Sequence, residues 1–203
     1  MTVVETDRIK MAENVEDAAN VGERSVDMLF DCFERQPSLE GYKIEIVEGT
    51  IHMAPQRDTH WQIIRRIVRA LEDKFGLDLK ITSDVRIDFP GHGNGLAPDI
   101  AKLRDDAEKD SRGRWQYGDV ELVAEVISQG TAAVDYGPKK EIYAAAEIPV
   151  YLIVDPYRRC CIAYTDPKEG EYQYESKSLF GVDVDLTTTP VALTLHTTDF
   201  PRD

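Results

Sequence analysis

No stretch of this chain stays apolar for the roughly 18 residues that a membrane-spanning helix needs, so helical membrane insertion is not expected. The opening residues, MTVVETDRIKMAENVEDAAN, lack the basic start and apolar centre of a secretory leader, and a cytoplasmic protein is the expectation. Cysteine is scarce: there are three, with Cys32 alone and Cys160 beside Cys161. Neighbours on a strand point to opposite faces, so that pair suits neither an ordinary disulfide nor a zinc-ligand spacing. Positive charge is also scarce, with 24 Lys and Arg against 38 Asp and Glu and a net charge of −14. A protein held to nucleic acid by electrostatics alone needs an excess of Lys and Arg. Any phosphate chemistry here must rely on a local basic patch or on metal cations. Internal repeats and a linker-like stretch are missing as well.

What remains is a chain of 203 residues, 42% hydrophobic and 31% charged, enough to bury a core in one domain. Residues 1–20 are polar and acidic without a periodic apolar face and are expected to form a loose tail, leaving 21–203 as a single α/β domain. Val26, Leu29, Phe30 and Phe33 recur at helical spacing within 21–36, with Asn20 as cap and Pro37 and Gly41 beyond the end. YKIEIVEGTIHMAP (42–55) predicts a hairpin turning at Glu48-Gly49. Ile63, Ile64, Ile67, Val68 and Leu71 then form the stripe of a helix that Gly76 stops. Residues 79–89 and 96–103 each read as a strand, separated by the loop GHGNG, and 135–148 as a helix. The strand VYLIVD (150–155), a hairpin over 160–176 turning at Pro167–Gly170, and a short strand at 191–195 follow.

The stretch ELVAEVIS (121–128) poses the functional question. Val123, Glu125 and Ile127 share one strand face and Ala124 and Val126 the other, so the strand is apolar on both sides and central, yet carries a carboxylate. An unpaired buried carboxylate costs several kcal/mol, so Glu125 wants a cation. Asp99, in APDIAKL, likewise leads an apolar strand, with Pro98 at the place where no ladder N–H is needed. Two such carboxylates brought together repel unless a cation bridges them, and oxygen donors favour Mg²⁺ or Mn²⁺ over zinc. In the helix that follows, Asp135, Lys139 and Tyr143 fall at i, i+4 and i+8 on one face, which lets Lys139 reach back toward the strand ends. An acid–acid–lysine cluster beside a metal suits phosphodiester hydrolysis. Lys140, one step of about 100° away, is expected to face water.

In order, IEIVEGTIHMAP, a histidine opening a helix, APD, AEVIS, DYGPKKEIY and IPVYLIVDP resemble the Uma-two family, placed in the PD-(D/E)xK restriction-endonuclease-like superfamily. The resemblance covers roughly residues 22–176. It implies a restriction-endonuclease-like α/β core, a mixed central β-sheet flanked by helices. It further implies Asp99 and Glu125 as metal ligands, Lys139 as the catalytic lysine, Mg²⁺ (or Mn²⁺) as cofactor and DNA as substrate. Glu45 matches a glutamate on the family's first strand, and His60 the histidine before its first core helix. The superfamily's usual lysine lies two residues after the glutamate, where this chain has Ile127; the Uma-like pattern draws it from the next helix, as Lys139 does. A two-fold homodimer would suit cutting both strands, by analogy with the superfamily.

Two alternatives stand beside the metal-dependent endonuclease. Glu125 pairs with a buried Lys or Arg and the fold is a catalytically degenerate binding or regulatory module, a reading that the net charge and Ile127 favour. Or Asp99 and Glu125 act as a metal-free acid–base pair, which leaves Lys139 unexplained. Apart from these readings, Arg112, Arg114 and Trp115 form a basic–aromatic cluster that would stack a base and hold phosphate, or else an ordinary exposed loop. His92 is expected to be a loop residue, and Tyr143 to pack its ring with its hydroxyl near Lys139.

Overall fold

The computed structural model describes residues 26–31, 42–55, 58–91, 93–128, 130 and 132–202. The tail at 1–20, the Asn20 cap, most of the helix expected over 21–36, Cys32 and His92 lie outside those residues; 26–31 are helical as expected.

The strand that carries Glu125 is central. β7 (Val120–Val126) lies between β6 (Ile100–Leu103), antiparallel to it, and β8 (Val150–Asp155), parallel to it. β8 in turn pairs antiparallel with β9 (Cys160–Lys168), β9 with β10 (Glu171–Leu179), and β3 (Ile81–Thr82) closes the other edge on β6. The result is a six-stranded mixed sheet in the order β10-β9-β8-β7-β6-β3. A parallel pair needs a long crossover, and two short helices supply it: α2 (Ala132–Tyr136) and α3 (Pro138–Ala145).

Both faces of the sheet are covered, which is why β7 and β8 are apolar on both faces apart from Glu121, Glu125 and Asp155. On one face, Leu122, Ala124 and Val126 meet Ile63, Ile64, Ile67 and Leu71 of α1 (Asp58–Phe75). That face is extended by β11 (Val184–Leu186) and β12 (Leu193–Leu195), an antiparallel pair of which only the second was anticipated. On the other face, Val123 and Ile127 join Ile142 and Tyr143 of α3 and a row of tyrosines. The rings of Tyr143 and Tyr151 lie 4.8 Å apart, and those of Tyr151 and Tyr164 6.0 Å apart. A second sheet, β2-β1-β5-β4, contributes Val47, Ile87 and Leu96 to this side. It comprises β1 (Tyr42–Val47), β2 (Thr50–Pro55), β4 (Ile87–Asp88) and β5 (Gly95–Leu96). Among the described residues no helix is long and apolar enough to cross a membrane.

The β1–β2 hairpin turns where expected. Val47 pairs with Thr50, and Glu48 and Gly49 are both left-handed at φ 49° and 75°, the geometry that a two-residue turn demands and glycine accepts most readily. Gly76, at φ 87°, ends α1 with its N–H on Glu72 O at 2.8 Å. Three expected elements are broken. Residues 79–89 form two strands in different sheets, divided near Asp84, which is left-handed at φ 55°. Residues 96–103 are likewise divided between β5 and β6 around Pro98, which has no N–H for a ladder. The helix expected over 135–148 begins at Ala132 and breaks at Gly137, whose ψ of −98° is not helical.

Candidate active site

Those breaks build the site. In the antiparallel β6–β7 pair Ile100 lies opposite Ala124, so the start of β6 meets the end of β7 and Asp99 comes beside Glu125. Asp99 Oδ2 accepts the N–H of Val126 at 2.7 Å and lies 2.9 Å from His60 Nε2; the N–H of Asp99 reaches Glu125 Oε2 at 3.4 Å. His60 comes from the first turn of α1, as the sequence suggested. The break at Gly137 lets α3 restart with Pro138, placing Lys139 in its first turn; Asp135 on α2 keeps its i,i+4 contact across the break.

Lys139 points inward and is 2% exposed. Its ammonium lies 2.7 Å from Glu45 Oε2, 3.0 Å from Glu125 Oε1 and 3.0 Å from Asp135 Oδ1, which uses all three of its N–H donors. Tyr143, a turn later, donates its hydroxyl to Glu125 Oε1 at 2.9 Å. The structure thus brings together Glu45, His60, Asp99, Glu125, Lys139 and Tyr143, every site residue named from the sequence.

It adds one that was missed. Lys43 Nζ lies 2.7 Å from Asp99 Oδ1, 3.3 Å from Glu125 Oε2 and 3.8 Å from Glu45 Oε1. The signal was present in YKIEIV: alternation sends Lys43 and Glu45 to one face of β1 and Ile44 and Ile46 to the other, against Val26 and Phe30. Glu45 is further tied to the start of the Asp99 segment by the N–H of Ala97, 3.0 Å from Oε1. Glu125 and Glu45 are therefore each held between two ammonium groups.

The two central carboxyls respond differently to burial. Desolvation alone would raise Asp99, but the Lys43 ammonium, then His60, outweigh it and hold the carboxyl well below the ordinary carboxylate range. Desolvation dominates at Glu125 and raises its carboxyl despite Lys139 and Lys43, with Asp99 and Glu45 adding a smaller push in the same direction. Burial would lower Lys139, yet Glu125, Glu45 and Asp135 together raise it, so it stays an ammonium. Tyr143→Phe keeps the ring and removes one donor to a buried carboxylate. A loss of about 1.5–3 kcal/mol in chemical denaturation is expected, the range for a hydrogen bond to a charged group. A change within error would mean that the hydroxyl does not support Glu125.

Two side expectations are corrected. Lys140 does not simply face water: it is half-buried, with its ammonium 4.4 Å from the Tyr164 ring centre. The basic–aromatic cluster is largely engaged within the protein. Arg114 lies 2.9 Å from Asp27 and 3.0 Å from Asp88, and the ring of Trp115 packs toward the core under Lys109. Arg112 remains exposed at the surface. Cys160 and Cys161 are free and buried on β9.

Comparison with known proteins gives a consistent picture. No curated protein matches the chain. A crystal structure of "a putative nuclease belonging to DUF820" from Anabaena variabilis superposes with a TM-score of 0.61 at 15% identity, over 77% of this chain and 88% of that one. At that identity the likeness establishes the fold, the restriction-endonuclease-like α/β architecture. The Uma2 family, described as "Putative restriction endonuclease", matches residues 30–198, and the chain belongs to that family.

Proposed function

We propose that the protein is a Mg²⁺- or Mn²⁺-dependent DNA endonuclease of the cytoplasm, hydrolysing phosphodiester bonds with Asp99, Glu125 and Lys139. One observation carries the reading: two buried carboxylates from adjacent strands converge on a single cationic position, with an inward lysine beside them. The donor set fits a hard divalent ion. It offers carboxylate oxygens and no thiolate, and it rests on two carboxylates alone: among the described residues no group of three or more His, Cys, Asp or Glu is placed to hold a metal ion. An ion that keeps several waters suits so few protein ligands. Asp99 and Glu125 would hold the metal, which when bound polarises a phosphate oxygen and makes a bound water acidic.

The chain's own groups do the rest. His60 and the Val126 N–H fix the orientation of Asp99, and Tyr143 and Lys139 fix that of Glu125. Lys139 brings permanent positive charge next to the site of reaction, where it favours charge developing on the phosphate or orients the attacking water. Its three donors are bound to carboxylates, so engaging substrate means exchanging one of them. A two-fold dimer would present two such sites to the two strands of a duplex.

A second reading has an observation of its own. Lys43 already pairs with both Asp99 and Glu125, as a structural core in a non-catalytic module would require. Cleavage of supercoiled plasmid and single-stranded DNA separates the two. The endonuclease should cut with Mg²⁺ or Mn²⁺, be silent in EDTA, and lose roughly 100-fold or more with Glu125→Gln. Well-folded wild type that cuts no DNA in a broad panel with either metal would establish the binding module instead.

A further inference from the structure

This inference rests on the metal-dependent reading above. We propose that Lys43 is a resident cation of the two-carboxylate site. Its ammonium holds the position that a divalent ion would share between Asp99 and Glu125, and the ion binds only as Lys43 withdraws.

Lys43 Nζ has four carboxylates around it: Asp99 Oδ1 at 2.7 Å, Glu125 Oε2 at 3.3 Å, and Glu45 Oε1 and Asp84 Oδ1 at 3.8 Å. That is the surrounding a hard cation seeks, at the longer spacing an ammonium sets; a divalent ion draws its oxygens to roughly 2.0–2.6 Å. Both cations cannot use the same two oxygens, and at such separations in a partly dry site they repel strongly.

The two lysines of the site are not equivalent in this respect. Lys139 has a 3% exposed side chain and three short carboxylate contacts. Lys43 is 9% exposed, on a flexible four-carbon stem, and one of its neighbours, Asp84, is itself 25% exposed. Lys43 is thus the ammonium with a way out, and Asp84 marks the solvent side of its position. Without metal, Lys43 balances the acids and keeps the fold intact. With metal, its displacement lowers the apparent affinity, so the site loads only at higher ion concentration.

The test is Mn²⁺ binding by the full chain, followed by electron paramagnetic resonance and calorimetry, for wild type, Lys43→Met and Lys43→Gln. Glu125→Gln serves as the control that reports whether the ion counted is at this site. Removing the ammonium should tighten Mn²⁺ binding by roughly tenfold or more. It should also enlarge the metal-induced rise in melting temperature. If the variants fold poorly alone, a cooperative melt restored by Mn²⁺ but not by EDTA-treated buffer supports the proposal equally. Wild type that binds Mn²⁺ as tightly as both variants, or more tightly, overturns the role of Lys43 and leaves the metal site standing. Absence of Mn²⁺ binding in all of them removes both. Variants that stay unfolded with and without Mn²⁺ make Lys43 a structural ion-pair partner and overturn the proposal.

Discussion

Lys139→Ala is expected to cost about 3–5 kcal/mol of folding stability, the range for a buried ion pair that loses one partner. The alanine leaves the buried carboxylates of Glu45, Glu125 and Asp135 with an uncompensated negative charge. Part of the loss is relieved, because Lys43 still reaches Glu125 and Glu45, and because Glu125, raised by burial, takes up a proton readily. Urea unfolding measures the effect, with Lys140→Ala as the neighbour for comparison. Lys140 makes one cation–π contact to Tyr164, worth roughly 0.5–1 kcal/mol. Combining Lys139→Met with Glu125→Gln should recover part of the loss, since one charge is then removed with its partner. Equal, small losses in Lys139→Ala and Lys140→Ala would mean that the three carboxylates do not depend on Lys139. The consequence for function is direct: a cleavage defect in Lys139→Ala reports on chemistry only where the variant is shown to be folded.

Much of this was readable from the chain, and the reasons are local. β7 and β8 are apolar on both faces, so their central position follows from pattern alone, and a carboxylate within β7 marks itself. Asp99 was legible because Pro98 ends a ladder just before an apolar strand. The hairpin at Glu48-Gly49 and the stop at Gly76 are set by backbone conformations that neighbouring residues cannot change. What failed were elements whose ends depend on distant partners. Residues 79–89 alternate well enough for one strand, yet pairing of Ile81 with Lys102 and of Ile87 with Leu96 pulls the two halves into different sheets. β11 escaped notice because three residues of alternation are too few to stand out; it exists through pairing with β12 and packing near α1.

Lys43 is the instructive omission. Its alternation with Ile44 and Ile46 placed it on a polar face, and polar faces of edge hairpins ordinarily meet water. Only the placement of the small sheet against the end of the large one turns that face inward. Glu45 entered the sequence reading through family resemblance; its neighbour two residues earlier carries the opposite charge and belongs to the same face. The pair then shows how an acidic protein keeps four buried carboxylates in one place: Glu45, Asp99, Glu125 and Asp135 are interleaved with two ammonium groups and one imidazole.

A divalent ion bound by Asp99 and Glu125 should be visible in the melting curve. A ligand that binds only the folded state stabilises it by about 2.7 kcal/mol at a hundredfold excess over its Kd. For a chain of this length that raises the melting temperature by roughly 5–10 °C. Asp99→Asn and Glu125→Gln should each abolish the rise with Mg²⁺ and Mn²⁺. Asp105→Asn, on an exposed turn, should leave it unchanged. The comparison is between shifts, not absolute temperatures, because each site variant also alters the ion pairs. Asparagine at 99 still accepts the Val126 N–H but no longer attracts Lys43 as a charge; glutamine at 125 relieves a desolvated carboxylate while weakening the hold of both lysines. Either variant can therefore start from a different baseline without bearing on the question. A metal-induced rise in both site variants equal to that of wild type would place the ion elsewhere. Loss in Glu125→Gln with full retention in Asp99→Asn would reduce the site to a single carboxylate and reassign Asp99 to holding His60 and the end of β7.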